Sequence, residues 1–196
     1  MPERQEADDR IVPLIVERWS PRSFDASDIP QTDLDVIFEA AGWAPSAYNI
    51  QPWMFLYARR GDAHWDDFFS GLVEFNQKWA DDASVLLYIV SDTKQRKDDG
   101  STSDNHSHSF DCGAAWAMMA LQARHMGYYT HGMTGLHFDK ATEMLGIPED
   151  HRLEAAVAIG RKAPKENLPE QFHEKEQPNG RDPVGDFAIN GKFPAS

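Results

Sequence analysis

The sequence predicts one domain mixing α and β structure, with central strands covered on both faces. Three observations lead there. Apolar runs of strand length occur at residues 84–91, 52–58 and 153–160. Segments with apolar residues at helical spacing separate them. The order is then helix, helix, strand, helix, strand, helix, strand, helix, strand. Periodicity leaves the sheet topology open.

Taken in chain order, Thr32 followed by Asp35 has the pattern of a capping box in its acidic variant. Leu34, Ile37, Phe38 and Ala41 then recur at helical spacing. Residues 52–58, PWMFLYA, read as the first buried strand. Trp65, Phe68, Phe69, Leu72, Phe75 and Trp79 form a second amphipathic stripe, suited to core or subunit packing. Residues 84–91, SVLLYIVS, are apolar on both alternating faces and read as a central strand. The polar, Gly/Ser-rich stretch 94–108 reads as a mobile surface loop. A third helix is expected from about Asp111 through Met126, stopped by Gly127. Tyr128, Tyr129 and Thr130 make a short strand candidate. A fourth helix starts near Asp139 and ends at Gly146, with Pro148 just beyond. Residues 153–160 complete the strands.

Organisation follows: a polar lead at 1–9, the domain at 10–163 and a tail at 164–196. The tail holds five of the twelve prolines and little periodicity, so it cannot bury much against itself. Phe187, Ile189 and Phe193 give it alternating apolar handles, which favours an extended arm docked on another surface.

Composition narrows the function classes. Hydrophobic residues make up 41% and charged residues 26%, as in soluble globular proteins. No apolar run approaches the ~20 residues of a membrane span. The first ten residues, MPERQEADDR, lack a signal-peptide core, so a cytoplasmic protein is expected. With Cys112 as its one cysteine, the chain has neither an internal disulfide nor a cysteine-based zinc site. The net charge of −13 repels polyphosphate backbones and argues against a general nucleic-acid binder. A local pair of arginines can still override that field for a small phosphorylated ligand.

Two stretches carry chemistry. In RWSPRSF, residues 18–24, an extended chain would put Arg18, Ser20 and Arg22 on one face. Two guanidinium forks and a hydroxyl suit a phosphate or a multi-acceptor edge. On a helix end, the same arginines would be an ordinary surface pair one turn apart. In APSAYNIQPW, residues 44–53, Pro45 and Pro52 restrict the backbone while Ser46, Asn49 and Gln51 supply donors and acceptors. Carboxamides match a heterocycle edge that mixes N–H and C=O. The alternative is a polar turn whose amides satisfy their own backbone.

Together, the two stretches resemble the nitroreductase family, which has an Arg-x-Ser-x-Arg-like motif followed by a Pro-Ser-x-x-Asn-x-Gln-Pro-Trp motif. Asp111-Cys112-Gly113-Ala114-Ala115, Gly132-Met133-Thr134-Gly135, Leu145-Gly146-Ile147-Pro148, Ala158-Ile159-Gly160 and Arg181-Asp182-Pro183-Val184 extend the resemblance over residues 10–190. Thr134 stands where some relatives carry an acidic residue, and the resemblance assigns no role to His131.

The resemblance implies an α+β, three-layer fold with a central mixed, mostly antiparallel sheet flanked by helices. It implies a homodimer with non-covalent FMN sites at the interface, and a C-terminal arm laid over the partner. Arg18, Ser20 and Arg22 would hold the flavin's pyrimidine edge, ribityl chain and phosphate. Pro45, Ser46, Ala47 and Asn49 would line the ring, the first three from the second subunit. Met133, Thr134 and Gly135 would cover one ring face, and Arg181 would reach the phosphate. The implied activity is reduction of nitroaromatics, quinones or activated carbonyl compounds with NAD(P)H by ping-pong hydride transfer. The cofactor carries that chemistry, so no catalytic acid, base or nucleophile is expected from the side chains. Specificity would come from residues 61–81 and 94–108. The same scaffold could instead serve flavin breakdown, reductive dehalogenation, or flavin or metabolite sensing.

Other constellations are weaker. His106 and His108, near Asp111 and Cys112, could be drawn as metal ligands, yet eight histidines make such a cluster unremarkable, and no metal is expected. The chain contains neither G-x-G-x-x-G nor a P-loop motif, which argues against a Rossmann or P-loop fold.

Overall fold

A computed structural model describes residues 7–194. Residues 1–6 of the predicted polar lead and the last two residues of the predicted arm lie outside the described residues. The elements are α1 (Pro13–Glu17), α2 (Gln31–Gly42), β1 (Trp53–Arg59), α3 (Trp65–Ser70), α4 (Glu74–Ala80) and β2 (Val85–Asp92). They continue as β3 (Lys94–Arg96), β4 (Thr102–Asp104), α5 (His108–His125), β5 (Tyr129–Met133), α6 (Phe138–Met144), β6 (His151–Gly160) and α7 (Val184–Phe187).

The main sheet has the order β1-β2-β6-β5, and all of its pairings are antiparallel. Strand β2 sits inside it, buried from Val85 through Ser91. Its side chains alternate, as a strand requires. Leu86, Tyr88 and Val90 enter one core cluster with Trp65, Phe68, Trp79 and Phe172. Val85, Leu87 and Ile89 enter the other with Leu34, Ile37, Met119 and Tyr128. Helices α3, α4 and α6 thus cover one face and α2 and α5 the other. This is the three-layer α+β arrangement. Among the described residues, no helix is long and apolar enough to cross a membrane.

Several local expectations need correction. Helix α2 begins at Gln31 with Pro30 as its N-cap and no side-chain cap, so the Thr32–Asp35 capping box does not form. Pro30 already sets the turn by its fixed φ. The stripe from Trp65 to Trp79 is two short helices, interrupted at residues 71–73. There the backbone pairs elsewhere: Val73 N–H donates to Gly135 O, His137 N–H donates to Gly71 O, and Leu72 bridges to Leu136. Phe75 is left 53% exposed, outside the core.

The expected mobile loop contains a hairpin, with Lys94 opposite Asp104 and Arg96 opposite Thr102. It turns through Gly100 at φ 80° and is anchored by Arg96, which pairs with both Asp92 and Asp150. Its polar sequence hid it, because β4 is exposed throughout and β3 is only partly covered. Helix α5 starts three residues earlier than expected, at His108, and β5 runs on to Met133. The tail also buries more than its composition suggests. Leu168, Phe172 and Glu176 are buried against their own chain, whereas Phe187, Ile189 and Phe193 are exposed.

Candidate functional site

Helix α1 ends at Arg18, whose ψ of 123° turns the chain extended. The chain remains outside helix until Phe24, which pairs with Lys162. This selects the extended reading of the first motif: Arg18, Ser20 and Arg22 all line one polar pocket of about 180 Å³. His131 of β5 and Lys175 and Arg181 of the tail complete its walls. Arg18 and Ser20 also border a second cavity of about 660 Å³, walled by Trp116 and Leu121 of α5 and by Gly132, Met133 and Thr134 at the end of β5.

Charge is concentrated here in an otherwise anionic chain. Among the described residues, no carboxylate lies within ion-pair distance of the Arg18, Arg22 or Arg181 guanidinium. Burial lowers the Arg18 pKa, and the charge of Arg181 lowers it further. Two cations that disfavour each other across a pocket are stabilised by an anion between them. The Arg22 guanidinium carbon lies 6.0 Å from the ring centres of both Trp79 and Phe172, and its Nε is buried without a partner.

The motif backbone is held from two sides. Arg22 N–H donates to both carboxylate oxygens of Glu176 at 3.0 Å, and Ser23 N–H donates to one of them at 3.0 Å. His131 Nδ1 lies 2.9 Å from Pro21 O and, as the donor to that carbonyl, carries the proton. The imidazole packs 4.6 Å from Trp79. Burial foremost, with a smaller contribution from Arg22, lowers the His131 pKa to about 4 against the opposing carbonyl contacts. The ring is therefore neutral near pH 7.

The second motif forms a different feature. Pro45, Ser46, Ala47 and Asn49 line neither of these cavities. Tyr48, Asn49 and Gln51 all have left-handed φ, at 52°, 55° and 53°. Such backbone costs about 1 kcal/mol or more per non-glycine residue and must be imposed by its surroundings. Asp111 accepts Ala47 N–H at 3.1 Å, and Ser46 Oγ accepts Gln51 N–H at 3.1 Å. The loop leaves Tyr48 90% exposed, and Trp43, just past the end of α2, is 79% exposed.

Other candidates take structural places. Gly135 O accepts from Asn76 Nδ2, and a Cβ at Gly135 would stand 2.5 Å from that atom. The Met133 side chain is buried in the core, leaving its backbone to border the cavity. His106 is exposed, while His108 turns inward to Ser91 Oγ at 2.7 Å. Cys112 is buried, and its thiol is pushed up to about 12 by burial, Glu154 and Asp111. Asp92, Asp150 and His151 form a metal-like group, but Arg96 already pairs both aspartates. Sequence reasoning missed His131, Trp116, Lys175 and Glu176 as neighbours of the first motif. Only the tail's basic residues gave any signal, and their destination depends on the fold.

The nitroreductase family profile matches residues 15–69 and 62–161. A crystal structure described as an oxidoreductase containing FMN is 44% identical, with a TM-score of 0.94 over 98% of this chain and 97% of that one. The CLA biosynthesis enone reductase from Lactiplantibacillus plantarum is 26% identical, covering 76% of this chain and 84% of its own. A relative from Archaeoglobus fulgidus, whose name proposes an NADH dehydrogenase or NAD(P)H nitroreductase, is 29% identical over 75% of this chain and 82% of its own. With its profile matched across the sheet and the helices on both faces, the chain belongs to the nitroreductase family.

Proposed function

We propose that this protein is an FMN- and NAD(P)H-dependent oxidoreductase that acts as a homodimer on nitroaromatics, quinones or activated carbonyl compounds. The observation that carries this reading is the cationic pocket, whose arginines have no carboxylate partner among the described residues, opening beside a larger, mostly apolar cavity. An FMN-shaped ligand has the matching parts: a dianionic phosphate, a polyol and a flat ring. The cavity volume of about 660 Å³ falls within the range usual for cofactor sites.

FMN, when bound, supplies hydride chemistry in two half-reactions, from reduced nicotinamide and then to an acceptor. The chain's own residues bind and orient. Arg18 and Arg181 neutralise the phosphate by charge-assisted hydrogen bonds. Ser20 contacts the polyol, and Arg22 provides positive charge at the pyrimidine edge, where negative charge develops on reduction. The Met133 and Gly135 backbones and Thr134 border the ring, while Trp116 and Leu121 exclude water on the α5 side. Pro45, Ser46 and Ala47 complete the site from the second subunit and Asn49 lines the ring with them, which gives their strained loop and its exposed Tyr48 a purpose. The end of the arm, where Phe187, Ile189 and Phe193 are exposed, lies over that subunit. The L. plantarum relative's name supports an enone as acceptor, the A. fulgidus relative's name supports NAD(P)H as donor, and the 44% identical structure described as containing FMN supports the flavin. A cytoplasmic setting suits a chain whose single cysteine is kept reduced.

The first test is the visible spectrum of purified protein supplied with FMN, followed by anaerobic NADH or NADPH. Flavin bands that bleach on addition support the reading. A protein that stays colourless after excess FMN is removed sinks it. Arg181→Ala should weaken FMN binding by about tenfold or more, with a much smaller effect on riboflavin, which lacks the phosphate.

A further inference from the structure

We propose that Glu176 is a positioning residue that latches the C-terminal wall of the cationic pocket to its N-terminal wall, making arm docking and ligand retention one event. The inference rests on the flavin reading for the identity of the ligand. It rests on geometry for the latch.

Glu176 is buried at 8% exposure, yet its guanidinium neighbour Arg22 makes no ion pair with it. Its carboxylate instead takes three contacts of 3.0 Å from the N–H groups of Arg22 and Ser23. A carboxylate left in that position without those donors would be strongly destabilised. Residues on either side of it, Lys175 and Arg181 among them, line the pocket opposite Arg18 and Arg22. One side chain therefore joins the two cationic walls.

The root of the arm is secured independently. Ser23 Oγ donates to Pro164 O at 2.6 Å, Ala163 N–H donates to Ser23 O at 3.0 Å, and Phe172 is buried. Beyond Glu176 the pattern changes. Every hydrogen bond made by residues 177–194, among those described, stays within the arm itself. Among the described residues, Glu176 is the last to hydrogen-bond outside the arm; beyond it Pro178, Val184 and Phe187 share a cavity with Ile11, Ile15 and Trp19, so Glu176 is the polar tether nearest Arg181. Repulsion between Arg18 and Arg181 works against the placement of Arg181, which is why a latch is needed when no anion lies between them.

The test compares wild type with Glu176→Gln, Glu176→Asp and the exposed control Glu174→Gln. Glutamine replaces two acceptor oxygens by one and turns an NH2 toward backbone N–H groups. In Glu176→Gln, FMN should bind about tenfold more weakly than in wild type, while riboflavin changes by less than about threefold. Glu176→Asp, which keeps the charge, should recover part of the loss. Glu174→Gln should match wild type. In ligand-free protein, trypsin should cut after Arg181 several-fold faster in Glu176→Gln, and FMN should protect wild type at that bond. Equal losses for FMN and riboflavin, or unchanged cleavage, would overturn the latch. If wild type itself binds no FMN, the flavin reading fails, and the ligand-free cleavage rates still decide the latch. If Glu176→Gln does not fold, the same ratio and cleavage rates are read on Glu176→Asp.

Discussion

His131 shows how much one residue's surroundings decide. An imidazole in water titrates near neutrality, but here burial and Arg22 hold its pKa at about 4. As pH falls from about 6.5, the unfolded chain takes up a proton that the folded chain refuses. Folding stability should therefore drop across that window, by up to about 3 kcal/mol from this group by pH 4. Urea titrations between pH 7.5 and 4.5 should show wild type losing more stability than His131→Gln, whose side chain does not titrate. Equal losses would mean that His131 is protonated in the fold. Sequence inspection had no access to this shift, because it depends on burial beside Trp79 and on the charge of Arg22, both distant in the chain. Arg18, Ser20 and Arg22 were legible by contrast, since period-two spacing acts locally.

Among the elements, the α3–α4 break shows tertiary contact overriding a helical pattern. The stripe is continuous in sequence, yet Gly71 faces Tyr88, whose hydroxyl donates to Phe68 O at 2.7 Å. A Cβ at Gly71 would land on that hydroxyl. Gly71→Ala should cost about 2–3 kcal/mol through overpacking, although alanine is the better helix former. Tyr88→Phe should cost about 1 kcal/mol by removing the shorter of the two hydrogen bonds to the Phe68 carbonyl, which keeps only Gly71 N–H at 3.3 Å. In the double variant the penalties should sum to less than their separate values, because the clashing oxygen is gone. A thermodynamic cycle from urea unfolding reads this coupling, and strict additivity would refute the contact. The hairpin of β3 and β4 escaped notice for the opposite reason, having no apolar face to generate a pattern.

Across the whole molecule, the two motifs do not meet within one chain. The cationic pocket lies beside β5 and the tail, while the Pro45–Asn49 loop lines neither described cavity and leaves Tyr48 exposed. A second copy supplying that loop resolves both observations under the proposed dimer. Light scattering after gel filtration should give twice the monomer mass, and Tyr48→Asp should shift it toward monomer and lower FMN occupancy together. A wild-type monomer that holds FMN with full affinity would refute the shared site.

By itself, the amino-acid sequence determined the layer class, the central strands, most helices and the placing of Arg18, Ser20 and Arg22 on one face. These rest on local periodicity, and each is written into consecutive residues. The tertiary structure alone decided the antiparallel order β1-β2-β6-β5, the break at Gly71, the burial of Phe172 and Glu176 in a proline-rich tail, and the convergence of that tail on Arg22. The contact between Arg22 and Glu176 spans 154 positions. No local pattern encodes such a pairing, because its energy exists only once both walls have been brought together by the sheet between them.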